Sequence, residues 1–213
     1  MKINLKILDA SYLYGENEIS SLNTKKIVPK MMQRRRLTKA SKLLLELMNN
    51  IRFTKGRIIY GTAFGELLAT SKILKSILNE ETVSPTDFQN SVYNTAVSYA
   101  SILHNNEEEI LTISSGDRTS LSVLKVAAVK AMDNDELLLL CSETINIENI
   151  DVLNKCQNYL ECAVALRVKI TQEEESLFYK TNKSEINVPI SMRAMLNIAM
   201  NFKKSANVIG VEV

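Results

Sequence analysis

Leu121 to Met132, LSVLKVAAVKAM, is apolar on nearly every side of a helical projection, and no other stretch restricts the fold as much. A helix without a polar face has to be enclosed. ELLLLCSE, Glu136 to Glu143, follows within a few residues and reads as a strand buried on both faces. A buried helix beside a doubly buried strand needs further layers around it, so a layered α/β fold is expected.

The rest of the chain supplies those layers. Ile3 to Leu13 predicts a first strand, and the polar stretch from Gly15 to Arg36 a long loop or lid. Leu37, Ala40, Leu44, Leu47, Met48 and Ile51 recur at helical spacing, which predicts a helix over Leu37 to Ile51. Arg57 to Thr62 reads as a short buried strand, followed by a helix with Phe64, Leu67, Ser71, Leu74 and Leu78 along one face. Ser84-Pro85-Thr86 opens a further helix, with Pro85 early in it where its missing N–H costs little, and this helix is expected to run to Leu103. Tyr159 to Ile170 predicts a long alternating strand joined to the previous one without a helix, so the sheet is mixed. Past Ile170 the texture turns polar, then returns as a Met-rich helix over Ile190 to Phe202 and a final ANVIGVEV. The expected organisation is a domain over 1–170 and a C-terminal appendage over 171–213.

With 213 residues, 46% of them hydrophobic, the chain is long enough for a sizeable core. A formal net charge of +2 makes no demand for nucleic acid as a partner. No apolar run approaches the roughly 18 residues that would span a bilayer. The start, MKINLKILDASYLYG, alternates apolar and polar residues, unlike the core of a signal peptide. The 3 cysteines have no metal-binding spacing and fit a reducing, cytoplasmic setting, and no cofactor is expected. Cys141 and Cys162 fall inside strands and read as small buried hydrophobes. The sole histidine, His104 in HNNEEE, reads as part of a solvated loop.

Between the predicted helices lies ILTISSGDRTS, Ile110 to Ser120, a strand that turns into a helix through small residues. That is the setting of a nucleophile elbow. Ser114 or Ser115 would need a base to act as a nucleophile, and Asp117 is better placed as a helix cap or first-turn acid. The turn therefore reads as structural. Arg34, Arg35 and Arg36 read first as a solvated face, with an acidic partner as the functional alternative. Met31 and Met32, like Met192, Met195 and Met200, read as core before soft binding surface. Thr62 to Glu66 joins strand to helix but offers one glycine and an acid, which argues against a phosphate site.

VPKMMQRRRLTKASKLLLELM, IIYGTAFGELLATSKIL, SPTDFQNSVYNTAVSYASI and the TISSGD turn occur in this order. Together they resemble the N-terminal half of a β-ketoacyl synthase. More narrowly, they resemble the half-length, chain-length-factor-like proteins of aryl polyene, flexirubin and dialkylresorcinol pigment clusters. The resemblance, which covers roughly Ile3 to Ile170, implies a thiolase-like half with a mixed five-stranded sheet and layered helices, plus a short helical appendage. In full synthases the elbow carries a cysteine, expected here near Ser115, and two histidines come from the second half. Ser114, Ser115, Gly116 and Asp117 would then be a vestigial elbow.

The resemblance also implies an interface around Asn90, Tyr93, Asn94 and Ile113, with Tyr93 standing where relatives usually carry histidine. It keeps open a contact of Arg34, Arg35 and Arg36 with an acyl carrier protein. The expected function is a non-catalytic partner of a full-length β-ketoacyl synthase in a heterodimer, or a homodimer when that partner is absent. The alternative is a stand-alone serine-dependent acyltransferase or hydrolase using Ser114 or Ser115.

Overall fold

Each residue of Leu137–Thr144 is buried, and the fold is arranged around that strand. The computed structural model describes residues 1–16, 18–147, 160–177, 188–203 and 205–213. Strands β1 (Lys2–Gly15), β2 (Arg57–Gly61), β3 (Ile110–Ile113), β4 (Leu137–Thr144), β5 (Glu161–Ile170) and β6 (Val208–Glu212) form one sheet in the order β3-β2-β4-β5-β1-β6. β3, β2 and β4 run parallel, whereas β4–β5, β5–β1 and β1–β6 are antiparallel.

The helices cover both faces. α1 (Thr24–Ile27), α2 (Met31–Arg34), α3 (Lys39–Asn50), α4 (Leu67–Leu78), α5 (Pro85–Asn90), α6 (Thr95–Leu103), α7 (Thr119–Lys130) and α8 (Arg193–Asn201) follow in chain order. α7 and α8 share one core with Leu137, Leu139 and Cys141 of β4. α3 and α6 share the other with Leu138 and Leu140. With apolar layers on both faces, β4 has no use for alternation, and its four consecutive leucines follow from that. Thr38 begins α3 by accepting a hydrogen bond from Ser41 N at 3.1 Å.

Several expectations are corrected. The sheet has six strands rather than five, because Val208–Glu212 pairs with β1. The chain past Ile170, expected as an appendage, thus contributes β6 and α8 to the same core, among the described residues. Residues 178–187 and Lys204 of the expected tail, and Tyr159 of the expected strand, lie outside the described residues. The single helix expected from Ser84 to Leu103 is two: Ser91 Oγ donates to Phe88 O at 2.8 Å and closes α5. Small polar side chains offer the backbone such alternatives to a continuous helix. α4 is peripheral, with Leu74 55% and Leu78 81% exposed and Ala69 its buried residue. In α7, Leu124, Ala127 and Ala128 are buried as expected, as is Ala131 just after it, but Leu121 is 41% exposed, so the helix has one open side. Among the described residues no helix is long and apolar enough to cross a membrane.

α7 lies so close to β2 that only glycine fits at 61. A Cβ there would meet Val123 Cγ2 at 2.6 Å and Thr119 Cγ2 and Cys141 Sγ at 2.8 Å. Gly61→Ala is expected to cost about 1–3 kcal/mol by overpacking, and Leu124→Ala about 2–5 kcal/mol by leaving a cavity. Urea unfolding of both variants checks this, and a loss below about 1 kcal/mol for Leu124→Ala would mean that α7 is peripheral.

Candidate functional site

The C-terminal ends of the parallel strands β2, β3 and β4 converge, which is where open α/β sheets place their sites. β3 ends at Ile113, Ser114 and Ser115 follow, and a short 3₁₀ turn over Gly116–Arg118 leads into α7. Gly116 has φ +53°, with open space where a Cβ would stand, so the bend uses a conformation that glycine adopts at little cost. Thr119, fully buried, holds the turn together. Its Oγ1 accepts from Ser115 N at 3.1 Å and donates to Gly116 O at 2.7 Å. The spacing of Thr119 from the serines carries the one sequence signal for it, a small hydroxyl at the helix start.

Ser114, Ser115, Gly116 and Asp117 are all exposed. Neither serine hydroxyl has a protein partner among the described residues. His104 is displaced from its expected setting as well. It is half-buried, its ring meets Phe53 edge-on at 6.2 Å, and burial lowers its basicity. It also stands before β3, whereas the turn follows β3, so about 13 Å of strand separates them. The thiols of Cys141 and Cys162 are buried, and burial raises both far from thiolate formation. Among the described residues, the turn has the shape of an elbow with neither a histidine nor an exposed thiol beside it.

Sequence reasoning missed Glu143, at the end of β4 and 1% exposed. Its Oε1 accepts from Ala63 N at 2.6 Å and Ser191 Oγ at 2.8 Å. Its Oε2 accepts from Thr62 Oγ1 at 3.0 Å and Phe64 N at 3.2 Å. Burial raises this carboxyl above the usual range, and the four donors oppose the rise. Glu143 thereby ties the loop after β2 to the 3₁₀ turn Ile190–Met192 that precedes α8. The N–H groups of Ala63 and Phe64, which a phosphate would need, are consumed by this carboxylate. An acid ending an apolar strand was the available signal.

The expected interface residues lie nearby but do not all behave alike. Tyr93 is 45% exposed, its ring rests on Gly65, and its Oη donates to Ala63 O at 3.4 Å. Asn90 Oδ1 accepts from Tyr99 Oη at 3.4 Å. Asn94 is exposed and stands at the N-cap of α6 without a side-chain cap bond. Ile113 is half-buried against the α7 core, so it is a core neighbour as much as an edge residue. Arg34 is spent internally, donating to Val28 O at 2.7 Å and to Pro29 O. Arg35 and Arg36 remain exposed.

Beside this end of the sheet lies a cleft of 370 Å³ lined by Thr38, Lys42, Glu66, Asn90, Thr144 and Glu161 among others. Glu66 accepts from Thr38 Oγ1 at 2.6 Å, and burial pushes its carboxyl up to about 7.

A sequence model of the β-ketoacyl synthase N-terminal domain matches residues 15–205. No protein of curated function matches the chain in sequence. Among solved structures, the complex of ketosynthase (ApeO) with its chain length factor (ApeC) from Xenorhabdus doucetiae contains a similar chain. It has a TM-score of 0.68 and 20% identity, with 92% of each chain covered. The ishigamide ketosynthase/chain length factor gives TM-score 0.63 at 10% identity, covering 81% of this chain and 63% of that one. A type II PKS acyl-carrier protein in complex with its ketosynthase bound to the hexaketide (AntDE:AntF) gives 0.61 at 14% identity, covering 81% of this chain and 64% of that one. The present chain thus spans less than two thirds of the chains matched in these last two. At these identities the likeness is one of fold, that of a thiolase-like ketosynthase half.

Because the folded-state value for Glu66 is raised, its contribution to stability is fully present below about 4.5 and lost as pH rises through about 7. Wild type is expected to lose more stability across that window than Glu66→Gln, by a few kcal/mol at most at about 1.4 kcal/mol per unit. Urea midpoints at both ends of the window measure this, and equal pH slopes would refute it.

Proposed function

The chain belongs to the β-ketoacyl synthase N-terminal-domain family, and from that membership we propose that it is a non-catalytic, chain-length-factor-like subunit. Its partner is a complete β-ketoacyl synthase, and its setting is acyl chain elongation for an aryl polyene, flexirubin or dialkylresorcinol type of pigment. One observation carries the reading: the elbow has its fold and its turn, but among the described residues its serines are unpartnered, the thiols of Cys141 and Cys162 are buried, and His104 stands at the far end of β3. A free serine hydroxyl is a weak nucleophile without an adjacent base.

The pairing surface is proposed along β3. Ile58 N donates to Glu109 O and Thr62 N to Ile113 O, so in the alternating ladder the peptide groups of Ile110 and Thr112 point away from the sheet. An open edge of this kind accepts another strand. Phe88, Val92, Tyr93 and Leu121 are exposed on neighbouring elements and suit a largely apolar interface of more than about 1,000 Å². An acyl carrier protein is a further proposed partner of the assembled pair, with Arg35 and Arg36 as the cations still free to meet it.

Two measurements test this. Incubation with an acyl thioester is expected to leave the intact mass unchanged, and an adduct on Ser114 or Ser115 that an alanine variant abolishes would favour the serine enzyme. Thr112→Pro removes an outward N–H while leaving the β2–β3 bonds in place. It is expected to fold and to lose association with the synthase, or self-association in its absence, as measured by mass in solution. Ile113→Asp is the harsher companion variant, because Ile113 also touches the core. A folded Thr112→Pro chain that keeps every association of wild type would move the interface elsewhere.

A further inference from the structure

The cleft of 370 Å³ beside Glu66 lies at the C-terminal ends of β2 and β4, where open α/β sheets hold ligands. It is on the α3 side of the sheet, whereas the elbow leads into α7 on the other face. Most of its charges are matched within the protein. Lys39 meets Glu161 at 3.2 Å and the exposed Glu18 at 3.3 Å, and Glu161 also accepts from Ile19 N at 2.7 Å. Lys72 on α4 faces Asp87 on α5 at 3.9 Å.

Lys42 and Glu66 remain. Lys42 has no side-chain partner among the described residues. Glu66 is 5% exposed, and its Oε1 accepts from Thr38 Oγ1. Its Oε2 accepts no hydrogen bond among the described residues, yet it is not sealed from the cleft that Glu66 lines. Thr144, the last residue of β4 and 7% exposed, lines the same cleft with a hydroxyl that likewise has no partner among the described residues. Buried polar groups are as a rule hydrogen-bonded, so two unmet ones opening onto one cleft point to a ligand.

The spacing of the two unmatched charges sets the class of that ligand. Lys42 stands one helical turn after Thr38, the residue that holds Glu66, and side chains so placed have β-carbons about 5–6 Å apart. Lys42 and Glu66 form no ion pair across that gap. A simple cation would meet the Lys42 ammonium, and a simple anion the Glu66 carboxylate. A molecule that carries an ammonium and a carboxylate a few bonds apart satisfies both. We propose that this cleft binds a small zwitterion of the free amino acid class, with its ammonium on Glu66 Oε2 and the Thr144 hydroxyl and its carboxylate on Lys42. The volume lies within the range of small-molecule sites, about 300–1,000 Å³, and leaves room for a side chain beside the exposed Leu68. The proposal does not depend on pairing at β3 or on the state of the elbow.

Isothermal titration of the full chain with L-leucine tests the proposal. Leucinol, which lacks the carboxylate, and 4-methylpentanoate, which lacks the ammonium, are the controls. The titrations are run at about pH 8, above the value of about 7 to which burial pushes Glu66, so that its carboxyl is ionised. Wild type is expected to bind leucine, and each control at least about tenfold more weakly, which corresponds to about 1.4 kcal/mol. Glu66→Gln and Lys42→Met are each expected to lose at least about tenfold for leucine while remaining folded by thermal melt. No binding by wild type, equal affinity for either control, or an unchanged constant in a folded variant would each overturn the site. So would a Lys42→Met chain, free of ligand, in which the Glu66 stability change moves up by more than about one pH unit. The two side chains would then pair with each other, and the cleft would be filled by its own residues.

Discussion

The complete burial of β4 is the constraint on which the other elements depend. A strand enclosed on both faces and paired on both edges gives no route to water for its polar residues, and burying a polar group without a partner is costly. Ser142 and Tyr60 answer this by sharing a hydrogen bond at 2.9 Å across the β2–β4 pair. Glu143 answers it with four donors from the loop after β2 and from the turn before α8. The carboxylate therefore does more than satisfy itself. It recruits a segment almost fifty residues further along the chain and fixes the loop that starts α4. An acid at the end of a dry strand becomes the knot of the polar end of the sheet.

The same compactness shapes the elbow. α7 can press onto β2 because Gly61 has no side chain, and Thr119, at the point of contact, then lies where its hydroxyl bridges Ser115 and Gly116. The turn is thus fixed by helix–sheet packing. What catalysis would add is a thiolate or an activated hydroxyl; burial works against the thiolate, and the exposed serines have no side-chain partner among the described residues. Cys141 and Cys162 sit in the core, where desolvation disfavours the charged form, and the sole histidine is at the other end of β3.

The two edges of the sheet are managed differently. On the β1–β6 side, Lys2 pairs with Glu175 at 2.6 Å and Lys6 with Glu173, placing charges along the edge region. β3 is the opposite edge, and Ile110 to Ile113 contains no charge at all. Charged side chains are a common device against edge-to-edge pairing, so a bare edge is consistent with a chain built to be joined there. Its foot is anchored instead, by Arg57 and Lys130 meeting Glu109.

Hydrophobic periodicity determined much of the fold by itself. Period and run length placed strands from Arg57, Ile110 and Glu136 and helices from Leu37 and Leu121, close to the observed starts, because side chains facing a core must be apolar wherever the fold closes. The elbow was legible for the same reason, as small residues between a strand and an apolar helix, and the lack of a cysteine there needed no coordinates. Other features could be decided only by the tertiary structure. That Val208–Glu212 completes the sheet depends on β1 offering a free edge, which a change of composition at Ile170 does not reveal. The break between α5 and α6 rests on competition between side-chain and backbone hydrogen bonds, and the open side of α7 at Leu121 on where neighbouring layers stop. Glu143 is the clearest case, since in sequence it is one acid after a run of leucines. Its role comes from burial and from donors distant in the chain, and both exist only once the chain has folded.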